Sequence, residues 1–342
     1  MKKIIVDQKR KFTKTIFFLI VLLLFMSDVY ASKIVSLPDI FEPSSIVVYN
    51  NQIYIVEGTT IYIYSLEDFT LKKKFGRKGE GPQEFKDDIW SIEVKPDYIL
   101  VNSLNKVSFF TRGGDFLNEK INPTVLGGSL FKPVGNKFVG YSIEREDKTF
   151  YVVYSIFDTK LKKTKELYKM KWMVQPGRKR KLFETFWYGT YDSKIFIARE
   201  ERFIIDMFNS EGEKIFSINQ KYKKLKFTDF HKRKFLDFWK STYPETYEIR
   251  KRRTEFPKYF PAVKTCLVTD KKIYVQTYKK KDKKTEFFIF NIEGELINKI
   301  MIPLVKKNPR EDYPYTIKNG KLYQLVYDID NYVWELHITE AD

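Results

Sequence analysis

The residues that could do chemistry in this chain are few in kind and weighted towards cations. One stretch, Gly76-Arg77-Lys78-Gly79-Glu80-Gly81-Pro82-Gln83-Glu84-Phe85, is glycine-rich enough to suggest a phosphate cradle. It lacks the Gly-Lys-Ser/Thr ending before a helix, which supplies the lysine and hydroxyl of a P-loop. Gly76, Gly79 and Gly81 serve better to let a crowded loop cross between elements. Pro82 would stiffen that loop and Phe85 anchor it in a core. Only two histidines, His231 and His337, and one cysteine, Cys266, are present. Zinc sites built on histidine and Ser-His-Asp triads therefore have little material, and an intrachain disulfide has none. Cys266 sits in an apolar strand and reads as a buried, inert thiol. His231 lies among lysines and reads as a surface residue. His337 alternates with Leu336 and Ile338, which puts it on the outer face of a strand.

Basic side chains are what remains. The formal charge is +18 over 342 residues. Lys160 to Lys181 holds about ten basic residues and one acidic, and Lys221 to Phe260 holds 13 and five. Charge of this sign draws anionic glycans, acidic proteins, nucleic acid or phospholipid surfaces. The bland alternative is a solvated, lysine-rich rim. Candidate binding residues are Arg77, Lys78, Arg178, Lys179, Arg180, Arg250, Arg252 and Arg253.

The elements that must position these residues are strands. Aromatics are 17% of the chain, mostly Phe and Tyr, a composition rich in strand formers. Ile46 to Tyr49, Ile53 to Val56, Ile61 to Tyr64 and Leu71 to Phe75 are four short strands separated by turn residues. The pattern recurs with third strands close to 46 residues apart in most steps, the size of a propeller blade. Its last hairpin turn recurs as Asn209-Ser210-Glu211-Gly212-Glu213 and Asn291-Ile292-Glu293-Gly294-Glu295. Six copies are counted, and the sixth lacks a fourth strand. Lys33 to Leu37 stands ahead of the first copy and is expected to supply it, closing the ring.

One step is longer by about 37 residues, so an insertion of about 221–261 lies between the fourth and fifth copies. Thr228 is a reasonable N-cap there, followed by Phe230, Phe235, Phe238 and Trp239 near helical spacing. Strand direction alternates through each blade, so crossing loops and middle hairpin loops share one face. The Gly76–Phe85 stretch, the region Lys169 to Glu184, the insertion and the run Lys279 to Lys284 are all assigned to that connector face.

The N-terminus reads as an export signal. Lys2, Lys3, Lys9, Arg10, Lys11 and Lys14 precede an apolar run from Ile16 to Met26, which is short for a membrane span. Val29-Tyr30-Ala31 gives a small-x-small cleavage site, so residues 1–31 are expected to form a signal peptide, with an uncleaved anchor as the alternative, and 32–342 one domain. Cleavage leaves no stable membrane span and a charge of about +14. No cysteine follows the apolar run, which argues against a lipid anchor, and export argues against nucleic acid as partner.

The chain resembles the six-bladed β-propellers of the NHL-like and TolB-like superfamily, especially exported bacterial six-bladed propellers. The resemblance rests on Phe75 to Phe85, similar to their Gly-x-x-Gly-x-Gly-Pro-x-Glu-Phe signature, and on the repeated Ile-Tyr-Ile and Glu-Gly-Glu segments. It covers nearly all of the mature chain, although the full signature occurs once and the insertion departs from the repeat. The resemblance implies an all-β, six-bladed propeller of four-stranded antiparallel blades, and it carries fold further than function. Gluconolactonase-like members hold a divalent metal through Glu, Asn and Asp, for which Glu93, Asn102 and Asp206 would be the candidates here. The expected protein is an exported, monomeric binding propeller without cofactor or catalysis. It would recognise an anionic envelope glycan or an acidic protein through its connector face. The alternative is a lactonase-type hydrolase with a metal in its channel.

Overall fold

The computed structural model describes residues 33–121, 130–147, 149–174, 179–183, 187–199 and 202–341. The expected signal peptide and Arg178 lie outside them. Six four-stranded antiparallel sheets follow one another along the chain. Blade 1 comprises Pro43–Tyr49, Gln52–Glu57, Thr60–Ser65 and Leu71–Phe75. Blade 2 runs from Ser91–Val94 to Phe116–Ile121, and blade 3 from Lys132–Val134 to Lys163–Val174. Blade 4 runs from Trp187–Tyr191 to Lys214–Asn219, and blade 5 from Thr265–Thr269 to Leu296–Pro303. Blade 6 has Tyr315–Lys318, Lys321–Asp328 and Val333–Glu340, and its outer strand is Lys33–Leu37. That outer strand pairs antiparallel with the strand before it, Lys33 opposite Ile338 and Leu37 opposite Trp334. The expected ring closure is therefore present.

Strand alternation explains the apolar runs. In the second strand of blade 1, Ile53 and Ile55 pack with Leu325 and Leu336 of blade 6. Tyr54 and Val56 point the other way, to Ile99 and Val101 of blade 2. A strand sandwiched between two neighbours is apolar at successive positions, because side chains alternate between faces and both faces are covered. The same logic places a buried cluster at each of the other junctions between consecutive blades.

Turn chemistry repeats in detail. Asn209 Oδ1 accepts the backbone N–H groups of Glu211 and Glu213 at 3.0 and 2.9 Å. Asn291 does the same for Glu293 and Glu295 at 3.2 and 2.8 Å. Gly212 and Gly294 follow at φ +74° and +93°, where a side chain would be strained. These turns and the first turns of each blade share the face opposite the connectors.

Two expected connector segments turn out to be strand. Lys169 to Val174 continues the outer strand of blade 3, and Lys279 to Lys281 and Lys284 belong to a long hairpin of blade 5. That hairpin turns through Asp282 and Lys283 alone, both at positive φ. A two-residue turn lets the ladder run further than lysine content suggests, because exposed strand ends tolerate lysine.

The insertion between blades 4 and 5 carries helix α1 (Asp229–Thr242) and helix α2 (Tyr247–Arg253). Phe235 is buried beside Phe183, Phe227 and Phe260, with Trp239, Phe256 and Tyr278 partly buried around them. Phe230, expected on the packed stripe, is 55% exposed.

Candidate functional site

The glycine-rich stretch is a knot centred on Glu84. Its carboxylate accepts Arg77 Nε at 2.8 Å and the Gly81 N–H at 2.9 Å. The Gly81 N–H and then the Arg77 guanidinium hold Glu84 below the usual carboxylate range. Arg77–Lys78 pairs in parallel with Glu84–Phe85, and Phe85 is fully buried. Arg77 is thus engaged in the loop's own structure. It and Lys78 lie at the crossing from blade 1 to blade 2, in a different sector of the ring from the other candidates.

Among the described residues, five of those others lie close along one backbone pairing. Arg180–Lys181, leaving blade 3, pairs in parallel with Thr254–Glu255 at the end of α2. The backbone pairing sets Lys179 and Arg180 beside Arg250, Arg252 and Arg253, which occupy the last turn of α2. Basic residues suit that turn because the helix C-terminus is the negative end of its dipole. All five are exposed. Arg250 is pinned, its guanidinium 4.0 Å above the Tyr243 ring and its Nε bonded to Thr246 Oγ1 at 3.0 Å.

The metal candidates do not converge. Glu93 contacts Lys132 within the inner-strand layer. Asn102 bridges the backbone of Phe131, accepting its N–H at 2.9 Å and donating to its carbonyl at 3.0 Å. Asp206, in blade 4, is paired with Arg199 at 2.5 Å and Lys214 at 2.7 Å. Burial alone would raise the Asp206 carboxyl, but Lys214, Ser217 and Arg199 outweigh it and hold the group down. Among the described residues, no group of three His, Cys, Asp or Glu side chains is placed to hold a metal.

His231 has a structural task the sequence did not reveal. The Thr228 N–H donates to its Nδ1 at 3.1 Å, closing the first turn of α1. The ring packs edge-on to Phe260, with centroids 4.9 Å apart. Burial, with Lys234 and Lys306 nearby, pushes His231 below the usual imidazole value, which keeps Nδ1 free to accept. His337 is half-buried against Glu335 at 2.7 Å, and Cys266 is buried, its thiol pushed well up.

A cleft of about 590 Å³ opens where blade 4 meets the insertion. Arg202 and Phe203 come from the middle loop of blade 4, Asn219 from the end of its outer strand, Tyr222 from the start of the insertion and Tyr259 from its end. Lys224 and Tyr259 also line an adjoining cleft of about 290 Å³, beside Lys181 and Glu255. Tyr222 is held by Phe203, ring to ring at 5.7 Å, and by Lys279, 4.2 Å above its face. Tyr259 is fixed by backbone bonds on both sides, Phe227 N–H to Lys258 O at 3.0 Å and Phe260 N–H to Leu225 O at 2.9 Å. Its ring is 43% exposed. Three aromatic residues, two cations and two amides thus line one concave space, the mixture that lets a site grip an apolar face and orient polar groups. None of these residues is among the sequence candidates. The one available signal is that Asn219 to Tyr222 and Tyr259 lie where the chain departs from the repeat.

Among solved structures, the fold is similar to a protein from Bacteroides fragilis described as a "Putative exported protein". The TM-score is 0.53 and the identity 13%, over 92% of this chain and 98% of that one. A member of the DUF4221 family from Bacteroides vulgatus is matched with a TM-score of 0.45 and 12% identity, covering 90% of this chain and 97% of that one. At these identities the likeness concerns the fold. No family model and no curated protein matches the chain. No helix among the described residues is long and apolar enough to cross a membrane.

Proposed function

We propose that the protein is an exported binding propeller that holds an anionic glycan in the cleft between blade 4 and the insertion. The observation that carries this reading is one cleft lined by the exposed Tyr259, the half-buried Tyr222 and the exposed cations Arg202 and Lys224. Sugar rings offer apolar faces to tyrosine, hydroxyls to Asn219, and carboxylates or sulfates to the cations. The basic edge formed by Lys179, Arg180, Arg250, Arg252 and Arg253 would extend the contact along a chain of charges.

The test is titration with sulfated and uronate oligosaccharides against neutral ones of equal length. Binding is expected for the charged sugars, weakening as salt rises. Tyr259→Ala and Lys224→Gln are each expected to lower affinity about tenfold, within the usual cost of removing a central contact. Arg250→Gln/Arg252→Gln/Arg253→Gln is expected to reduce the salt dependence more than the affinity at high salt. Failure of all oligosaccharides, or affinities untouched by the cleft substitutions, would overturn the reading. Capture of polyglutamate in their place would move the partner to the acidic-protein class.

A further inference from the structure

The aromatic core of the insertion opens to solvent at the smaller of the two clefts, about 290 Å³. Its apolar lining is Leu182, Phe183, Pro257, Phe260 and Pro261. Phe183 and Phe260 pack ring to ring at 5.3 Å, and Tyr278 packs on both, at 5.1 and 4.8 Å. The lining is therefore held in shape by the core behind it, so a ligand need not order it.

The backbone of this lining has little left to offer a polar ligand. The Leu182 N–H donates to Glu255 O at 3.0 Å and the Phe260 N–H to Leu225 O at 2.9 Å. Lys258 O accepts the Phe227 N–H at 3.0 Å. Pro257 and Pro261 have no N–H to give. Hydroxyls buried against such a surface would go unmatched, which is costly, whereas a hydrocarbon loses nothing there. Charge comes from exposed side chains: Lys181, Lys224 and Lys258 line the cleft against one carboxylate, Glu255. Neither Lys224 nor Lys258 makes an ion pair among the described residues. Lys258 Nζ stands 5.7 Å from the centre of the Tyr259 ring, which both clefts share.

We propose that this cleft binds a short-chain aliphatic carboxylate, its tail on the surface of Phe183 and Phe260 and its head at Lys224 and Lys258. The dry lining selects the hydrocarbon, and three cations against one anion select a single negative charge at its polar end. An apolar cavity of about 150 Å³ holds a six-carbon ring, so about 290 Å³ takes a tail of about six to eight carbons. The two clefts share Lys224 and Tyr259, but this inference does not rest on the glycan reading, because its ligand carries no sugar.

The experiment is a ligand-observed NMR titration of the full chain at pH 7.5 with butanoate, hexanoate and octanoate. Hexan-1-ol and hexylammonium are the head-group controls, at matched ionic strength. Saturable binding of octanoate is expected, with affinity rising about fourfold per added methylene through the series. Hexanoate should bind at least about tenfold more tightly than the alcohol, and hexylammonium should not bind. Lys224→Glu/Lys258→Glu should weaken hexanoate at least about tenfold and leave the alcohol unchanged, which also reports that the cleft is intact. Should that variant lose the alcohol too, the head-group comparison on the native protein carries the test. Arg202→Gln, in the larger cleft alone, should weaken charged oligosaccharides and leave octanoate unaffected. No saturation up to roughly 10 mM octanoate overturns the proposal. So does affinity indifferent to chain length, equal binding of the alcohol or the amine, hexanoate binding indifferent to the charge reversal, or octanoate binding lost in Arg202→Gln. Octanoate bound where no oligosaccharide binds would remove the glycan reading alone and leave this one standing.

Discussion

A methyl group at residue 76 has nowhere to go. It would lie 2.5 Å from the Thr59 carbonyl oxygen and 2.9 Å from the Phe85 ring, on a backbone with φ +84°. The crossing loop runs directly over the middle turn of blade 1, and only glycine allows that approach. Left-handed backbone alone costs a residue with a side chain about 1–2 kcal/mol. Gly76→Ala is expected to lower the unfolding free energy by about 2 kcal/mol or more in urea titration. Gly113→Ala is the control. Its added carbon would meet nothing nearer than 3.7 Å, so the loss should stay within about 0.5 kcal/mol. Similar losses for both would mean that the crossing is not the constraint. Of the motif residues, Arg77 shows the limit of reading chemistry from residue type. Its guanidinium looks available in sequence and is bound to Glu84 in the fold.

Helix α1 depends on an uncharged cap. His231 must accept the Thr228 N–H at Nδ1, and a proton there removes the acceptor. The folded value is lowered by burial, Lys234 and Lys306, whereas the unfolded value is about 6.5. The unfolded chain therefore binds more protons as the pH falls below about 6.5, and the contribution of this cap is lost through that window. Above about 6.5 it is fully present. Hydrogen exchange should show faster amides at Asp229 to Lys232 at pH 5 than at pH 7.5, beyond the intrinsic change in exchange rate. His231→Gln can accept through its side-chain oxygen and should abolish the difference. A difference that persists in that variant would assign it elsewhere. Thr228 was readable as a cap from sequence. Its partner was not, because histidine is an unusual residue for the third position and the geometry had to be seen.

Closure is a property of the whole ring. The strand Lys33–Leu37 joins the first described residues to the last blade, and Leu37 is 2% exposed within the cluster that seals blades 6 and 1. Burying one leucine contributes about 2–3 kcal/mol, and each kcal/mol moves the thermal midpoint of a large domain by about 2–4 °C. A chain lacking Lys33 to Leu37 should melt about 5 °C or more lower by calorimetry. It should also associate with rising concentration in light scattering, because Val333–Glu340 then becomes an open edge. An unchanged midpoint would show that the strand does not seal the ring in solution.

Much of this was legible in the chain itself. The number of blades, the borrowed outer strand and the place of the insertion follow from strand periodicity and turn residues. Those signals are local: alternation is set by successive Cβ atoms, and a turn by two to five residues. The strand ends were less legible, as at Lys169 and Lys279, because lysine suits both a loop and an exposed ladder. What only the tertiary structure decided is which distant residues share a space. Arg202 meets Tyr259 because the insertion folds back over blade 4 on its aromatic core. Lys264 and Asp312 meet because blades 5 and 6 stand side by side. Neither meeting leaves a pattern along the sequence, since packing between segments dozens of residues apart carries no period to read.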